Sequence, residues 1–281
     1  MIELRDLHSV AECRAVVAIQ EAVWGAGSEI VPASVLVASA KRGGILIGAV
    51  DGSEVVGFVW SMPGWRDRQP TQWSHMLGVL PNARGQRLGE RLKLAQRDRA
   101  LTAGLELIEW TFDPLQALNA HLNLSALGCT VGTYLVDAYG DMRGHLHRGT
   151  ATDRFIAEWW IQRLHVVRRI ERLALDESML PLVARSAELV NVPVAVDTVQ
   201  SDGWLACTAV RQNLEVPRLL VPIPPNFTEM QRDATDLAEG WRRATRDVFL
   251  NYFGRGYRAV DFFLNREDGG GHYLLANQAA T

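Results

Sequence analysis

The feature that most constrains this chain is the junction running from Trp73 to Leu92. Trp73 to Leu80 is short, apolar and closed by Pro81, the pattern of a buried strand. Proline has no N–H to give to a ladder, so the strand is expected to stop there. The turn Asn82-Ala83-Arg84-Gly85-Gln86-Arg87 follows, and a helix is expected to open at about Leu88, with Gly89 in its first turn. Such a corner leaves backbone N–H groups aimed at one point, together with the positive end of the helix dipole. Arg84 and Arg87 add full charges. The product is a cradle for a phosphate or diphosphate. A glycine-bearing corner also occurs in ordinary α/β domains, so its meaning depends on what flanks it.

The flanks read as alternating strands and helices. Ile2 to Leu4 is a short first strand, and Ser9 with Glu12 forms a capping box at the start of a helix. Val10, Cys13, Val17 and Trp24 recur in it at helical spacing. Pro32 opens a second helix to about Lys41. Gly44–Val50 and Val55–Met62 are strands joined by Asp51-Gly52, a hairpin signal. Met62 to Pro70 reads as a polar loop. In the helix 88–103, Leu88, Leu92 and Ala95 share one face, and Lys93, Arg97 and Arg99 are expected on a solvated one. Arg91, in the first turn, is close enough to approach nucleotide phosphates. Leu107–Thr111 is a buried strand, Asp113-Pro114 a helix start, and Leu115–Leu127 its helix. Tyr134-Leu135-Val136 and Thr152–Trp160 are further strands, the latter with Phe155, Ala157 and Trp159 on one face.

In this setting the junction resembles the acetyl-CoA signature of the GNAT N-acetyltransferase superfamily. Arg84 and Gly89 match the signature's ends, and Gly85 completes its Arg-Gly pair. Arg87 replaces the middle glycine, which implies that residue 87 keeps an ordinary φ and still offers its N–H. The likeness extends over about residues 1 to 165 and includes the segments HMLGVLP, WTFDPLQ, NAHLNL and EWW of an uncharacterised branch. It implies a mixed, mostly antiparallel sheet flanked by helices. Acetyl-CoA would then be held by Arg84, Gly85, Gln86, Arg87, Leu88 and Gly89, and by strand residues Leu77, Gly78 and Val79. Asn119 or Asn123 loosely matches an asparagine that the family places on the opposite wall of the cofactor cleft. The first two helices would cover the acceptor.

From about residue 166 the character changes to short strands bounded by prolines, a long helix ending near Tyr252, and a final hairpin through Gly269-Gly270-Gly271. Without a second glycine signature, residues 166–281 are expected to form a smaller α+β domain. It is either a degenerate GNAT-like half or an unrelated extension.

The resemblance implies direct transfer of an acetyl group from thioester to amine, which needs a base and a way to accept the departing thiolate. His75 is the first candidate base, because imidazole titrates near neutrality. Simple alternation puts it on one face with Leu77 and Val79. Glu158 is a second candidate, while Asp113 is better explained as a helix cap. Leu124 stands where the family has its tyrosine acid, so Tyr134, Tyr139 or water must serve. The alternative to an enzyme is a non-catalytic acyl-CoA-binding or sensing module. No Lys-Ser/Thr pair follows the glycines, which argues against P-loop chemistry, and no early Gly-x-Gly-x-x-Gly suggests a dinucleotide fold.

Composition enters as a limit on partners. A net charge of -3 argues against nucleic acid, and no apolar run suits a bilayer. Cys13, Cys129 and Cys207 are isolated, unlike a metal set, and fit a reducing cytoplasm. His145-Leu146-His147 reads as a surface loop rather than a metal site. The nine tryptophans point to a partly apolar or aromatic small-molecule amine as acceptor. A homodimer is left open.

Overall fold

The computed structural model describes residues 2–25, 30–140, 151–174, 191–265, 267 and 269–277. The chain divides into two compact units. The first holds the chain up to Trp110 together with Trp160–Gln162, and the second holds the remaining described residues from Thr111 onward.

In the first unit five strands lie in the order β1 (Glu3–Asp6), β2 (Ile45–Asp51), β3 (Glu54–Arg66), β4 (Gln69–Val79) and β5 (Leu107–Phe112, whose last two residues belong to the second unit). All pairs are antiparallel except β4 with β5. The helices are α1 (Val10–Trp24), α2 (Ala33–Ala40) and α3 (Leu88–Thr102). α1 starts as its sequence requires: the Glu12 N–H donates to Ser9 Oγ at 3.2 Å, and Glu12 accepts from the Ser9 N–H at 2.9 Å. One core forms where α1 and α2 lay Cys13, Val16, Ile19 and Leu36 against Leu46, Phe58 and Trp60.

The stretch expected to be a polar loop before β4 is instead the tip of a long hairpin. Pro63 stands opposite Gln72 and Trp65 opposite Pro70. Both prolines lie outside the part of β3 that pairs with β2 and of β4 that pairs with β5, so their missing N–H groups interrupt no second ladder. Asp67 and Arg68 make the turn with φ of 49° and 65°, as a two-residue hairpin requires.

The second unit contains the strand order β7 (Arg154–Trp160), β6 (Thr130–Leu135), β11 (Tyr257–Leu264), β12 (Gly271–Asn277) and β10 (Arg218–Ile223), with a separate hairpin of β8 (Val196–Ser201) and β9 (Trp204–Val210). Its sheet pairs are antiparallel. The expected helix 115–127 is shorter: α4 spans Ala117–Ala120 and passes into a wider π turn over His121–Ala126, closed by Leu127 N–H to Leu122 O at 2.9 Å. α5 spans Leu164–Ala174. The long C-terminal helix is two, α6 (Phe227–Asp233) and α7 (Thr235–Gly254), because Ala234 leaves the helical region with φ -145°. An aromatic core of Phe112, Tyr134, Phe155, Phe249 and Tyr273 packs mostly edge to face. Among the described residues no helix is long and apolar enough to cross a membrane.

Candidate active site

The glycine loop is built as a corner between β4 and α3. Pro81–Ala83 makes one 3-10 turn, Arg84 is extended, and Gly85 adopts φ +85°. Arg87 then takes φ 54°, ψ 26°, immediately before Leu88. The expectation of an ordinary φ at residue 87 is therefore overturned. An arginine stands here in the left-handed region, a conformation that glycine adopts far more readily. That geometry sets the direction in which α3 leaves, and it leaves the helix start with no side-chain cap. Arg84, Gly85, Gln86 and Arg87 are exposed, while Leu88 is buried and anchors the corner. The Arg84 guanidinium donates to Val79 O at 3.3 Å, and Arg87 pairs with Glu90 at 2.8 Å. A Cβ at Gly89 would meet only the Leu77 side chain at 3.6 Å, so the helix start lies close against β4. A run of exposed loop residues, two guanidiniums and a positive helix end suit a diphosphate.

β4 shows where a ligand chain could enter the sheet. Its ladder with β5 comprises Gln72 with Ile108 and Trp73 with Glu109, and ends there. On the other side Ser74 faces Ser61 and Met76 faces Trp60, so His75 is the extra residue of a β-bulge. The bulge reverses the expected faces. His75 lies edge-on to the Trp60 ring at 5.3 Å, on the α1 side. Gly78 shares that side, since a Cβ there would touch Phe58 and Trp24 at 3.1 and 3.2 Å. Leu77 and Val79 point the other way, toward Gly89 and Gly57 respectively. His75 is exposed, yet partial desolvation lowers its pKa, which favours neutral imidazole.

Beneath β4 the side chains depart further from expectation. Lys93 is not solvated: it is 3% exposed and donates to Ser74 Oγ at 2.8 Å and Gln96 Oε1 at 3.2 Å. Its ammonium lies 3.5 Å from the centre of the Trp110 ring. Arg97 is half-buried and donates to Ile161 O at 2.9 Å, and Arg99 pairs with Asp6 at 3.1 Å. Arg91 is occupied with Ile2 O at 3.0 Å. Gly89, Lys93, Gln96 and Ala100 follow one stripe of α3, and the Lys93–Ser74 contact shows that this stripe faces β4.

The remaining candidates belong to the second unit. Glu158 is buried and its carboxylate lies 2.6 Å from the Arg258 guanidinium. The Tyr134 hydroxyl donates to Asp153 at 2.6 Å, and burial, then that bond, push its pKa up. Asp153 also receives both arms of Arg246 at 2.9 Å. Asn123 is buried in the π turn and Asn119 is exposed on α4. Asp113 holds Arg242 with two contacts of 2.7 Å and accepts from the Leu115 N–H at 2.9 Å, an Asx turn ahead of α4; the capping role expected of it is overturned, since the N-cap of α4 is Gln116. Tyr139 bonds Thr111 through its hydroxyl at 2.7 Å. Among the described residues no group of three or more His, Cys, Asp or Glu is placed to hold a metal ion, and His145 and His147 lie outside those residues.

No curated protein is detectably similar to this chain. Among solved structures, yncA from Salmonella typhimurium, determined with its cofactor acetyl-CoA, is 19% identical, covers 58% of this chain and 95% of its own, and superposes with a TM-score of 0.47. Aminoglycoside 6'-acetyltransferase type Ii is 17% identical over 57% of this chain and 98% of its own, at 0.45. Ribosomal-protein-alanine N-acetyltransferase from Brucella melitensis is 18% identical over 56% and 98%, also at 0.45. Residues 16–122 match the sequence model of the Acetyltransferase (GNAT) family. That span runs from within α1 through the bulged strand β4, the loop with its left-handed Arg87, and α3, and over it the chain matches the GNAT-family acetyltransferase domain.

Proposed function

We propose that the chain is an acyl-CoA-dependent N-acyltransferase that moves an acetyl group from acetyl-CoA to the amine of a small molecule. The observation that carries the reading is the corner at residues 84–89, where two positive-φ residues and two exposed arginines surround a helix start without a side-chain cap. In this reading Arg84, Gly85, Gln86, Arg87, Leu88 and Gly89 hold the diphosphate, and Leu77, Gly78 and Val79 flank the pantetheine arm. Bound acetyl-CoA supplies an activated acyl carbon, and the chain supplies orientation and proton handling. His75 receives the amine proton, since desolvation keeps its imidazole neutral. The acceptor is taken to have an apolar or aromatic part, as the nine tryptophans of the chain suggest.

The reading also takes residues 1–165 as the acetyltransferase domain and 166–281 as a second, smaller one. Asn119 and Asn123 are further cofactor contacts, while Glu158, paired with Arg258, and Tyr134, bonded to Asp153, stand behind His75 as candidates for proton handling. It places the protein in the cytoplasm, monomeric or as a homodimer. The decisive variant is Gly89→Glu. Leu77 at 3.6 Å leaves room for the fold to accept a Cβ, but a carboxylate would occupy the diphosphate position. Calorimetry should find no coenzyme A binding to the folded variant, and unchanged affinity would refute the cofactor assignment. Thiol release from acetyl-CoA across a panel of amines separates the enzyme from a non-catalytic binding module.

A further inference from the structure

We propose that Lys93 supplies a fixed positive charge under the point where β4 leaves β5, and that this charge stabilises the sulfur anion set free during acyl transfer. The inference rests on the reading above. Ser74 and Trp110 are the first residues after the last β4–β5 pair, and the Lys93 ammonium touches both, at 2.8 Å from the hydroxyl and 3.5 Å from the ring centre. The next residue on β4 is His75, the bulge. The charge therefore sits at the apex of the fork, directly under the segment where the acyl end of the donor would lie.

Stability does not account for it. An ammonium at 3% exposure carries a desolvation cost that a methionine, unbranched and only one atom shorter, would not, so a lysine here serves something other than packing. A need for charge follows from the reaction itself. The amine lone pair forms the new C–N bond, the C–S bonding pair leaves with sulfur as a thiolate, and one amine proton passes to His75. The Tyr134 phenol, raised in pKa by burial and bonded to Asp153, is a poor donor to that thiolate. A cation held in a low-dielectric site stabilises the anion without giving up a proton. Lys93 acts through its field, as a positioning residue. The groups around it are Ser74 on β4, Gln96 on α3 and Trp110 on β5. The titratable side chains on the same strands are His75, on the opposite side of β4, and Glu109, paired with Arg66 at 2.9 Å.

The test compares binding of coenzyme A and desulfo-coenzyme A to the full chain by calorimetry from roughly pH 7 to 9, a window around the ordinary thiol pKa. In the wild type, coenzyme A should tighten with rising pH relative to the desulfo analogue, because the bound thiol ionises one to three units early, roughly the effect of an adjacent opposite charge. Lys93→Met should lose that difference, keep its affinity for desulfo-coenzyme A, and show kcat lower by roughly tenfold to a thousandfold. Lys93→Gln should behave alike and carries the test if the methionine variant misfolds. If the pH difference persists in both variants while desulfo-coenzyme A still binds, the Lys93 inference is overturned and the cofactor reading stands. If the wild type binds neither ligand, the cofactor reading fails and takes the inference with it.

Discussion

Arg87 offers a test of the loop that needs no ligand. An L-residue in the left-handed region costs about 1–2 kcal/mol, and Arg87 adopts it at φ 54°, ψ 26°. Glycine removes that cost but adds disorder to the unfolded chain worth about 0.4–1 kcal/mol. The Arg87–Glu90 pair, with the arginine side chain 42% exposed, is worth only a few tenths and is lost in any neutral variant. Comparing Arg87→Gly with Arg87→Ala cancels the charge and leaves the backbone. The glycine variant should be more stable than the alanine variant by about 0.5–1 kcal/mol. At an ordinary helical position the order is the reverse, with glycine about 0.5–1 kcal/mol worse. Urea denaturation of the two variants measures the sign directly, and the melting temperatures should differ by about 1–4 °C. Both variants should bind coenzyme A more weakly than the wild type, with a reduced salt dependence. An alanine variant as stable as the glycine one would show that residue 87 does not hold the left-handed turn, and the geometry of the cradle would have to be redrawn.

His75→Ala should lower turnover by roughly two to four orders of magnitude with coenzyme A affinity nearly unchanged. Because its pKa is lowered, the acid limb of the wild-type rate profile should fall below about pH 6.5, and wild-type turnover with an unshifted profile in the variant would remove histidine from the mechanism. Asp113→Ala strips the carboxylate from an Arg242 whose side chain is only 4% exposed, and should cost about 3–5 kcal/mol in chemical denaturation. Glu12, held near pKa 2 chiefly by the Ser9 N–H and then by Arg5, stabilises the fold above its ordinary value of 4.5. That contribution should fade as pH drops from 4.5 toward 2, and Glu12→Gln should flatten this part of the stability curve. Limited proteolysis checks the domain proposal: cuts that leave stable fragments near residue 165 support it. Resistance there would favour an inseparable sheet, since β6 and β11 pair through Val131 and Ala259.

Local rules in the sequence determined much of this protein. The capping box of α1, the Asp51-Gly52 turn, the end of β4 near Pro81 and the start of α3 at Leu88 each depend on residues a few positions apart. The same locality made the glycine loop legible. It did not give the φ of Arg87, because the conformation there is imposed by β4 and the buried Leu88, which fix where the helix must begin. The direction of His75 was hidden for a related reason. Alternation counts residues along one strand, whereas a bulge exists only relative to a partner, here Ser61 and Trp60 on β3. Lys93 looked like a surface charge because a helix sequence does not say which stripe meets the sheet when that stripe carries a lysine and a glutamine. Glu158 and Tyr134 were chosen for their chemistry, but their side chains are taken up by Arg258 and Asp153, 100 and 19 residues away, which only folding brings within 2.6 Å. Sequence thus set the elements and the loop. Tertiary contact decided which way each side chain faces and which charges are paired, since both depend on neighbours distant along the chain.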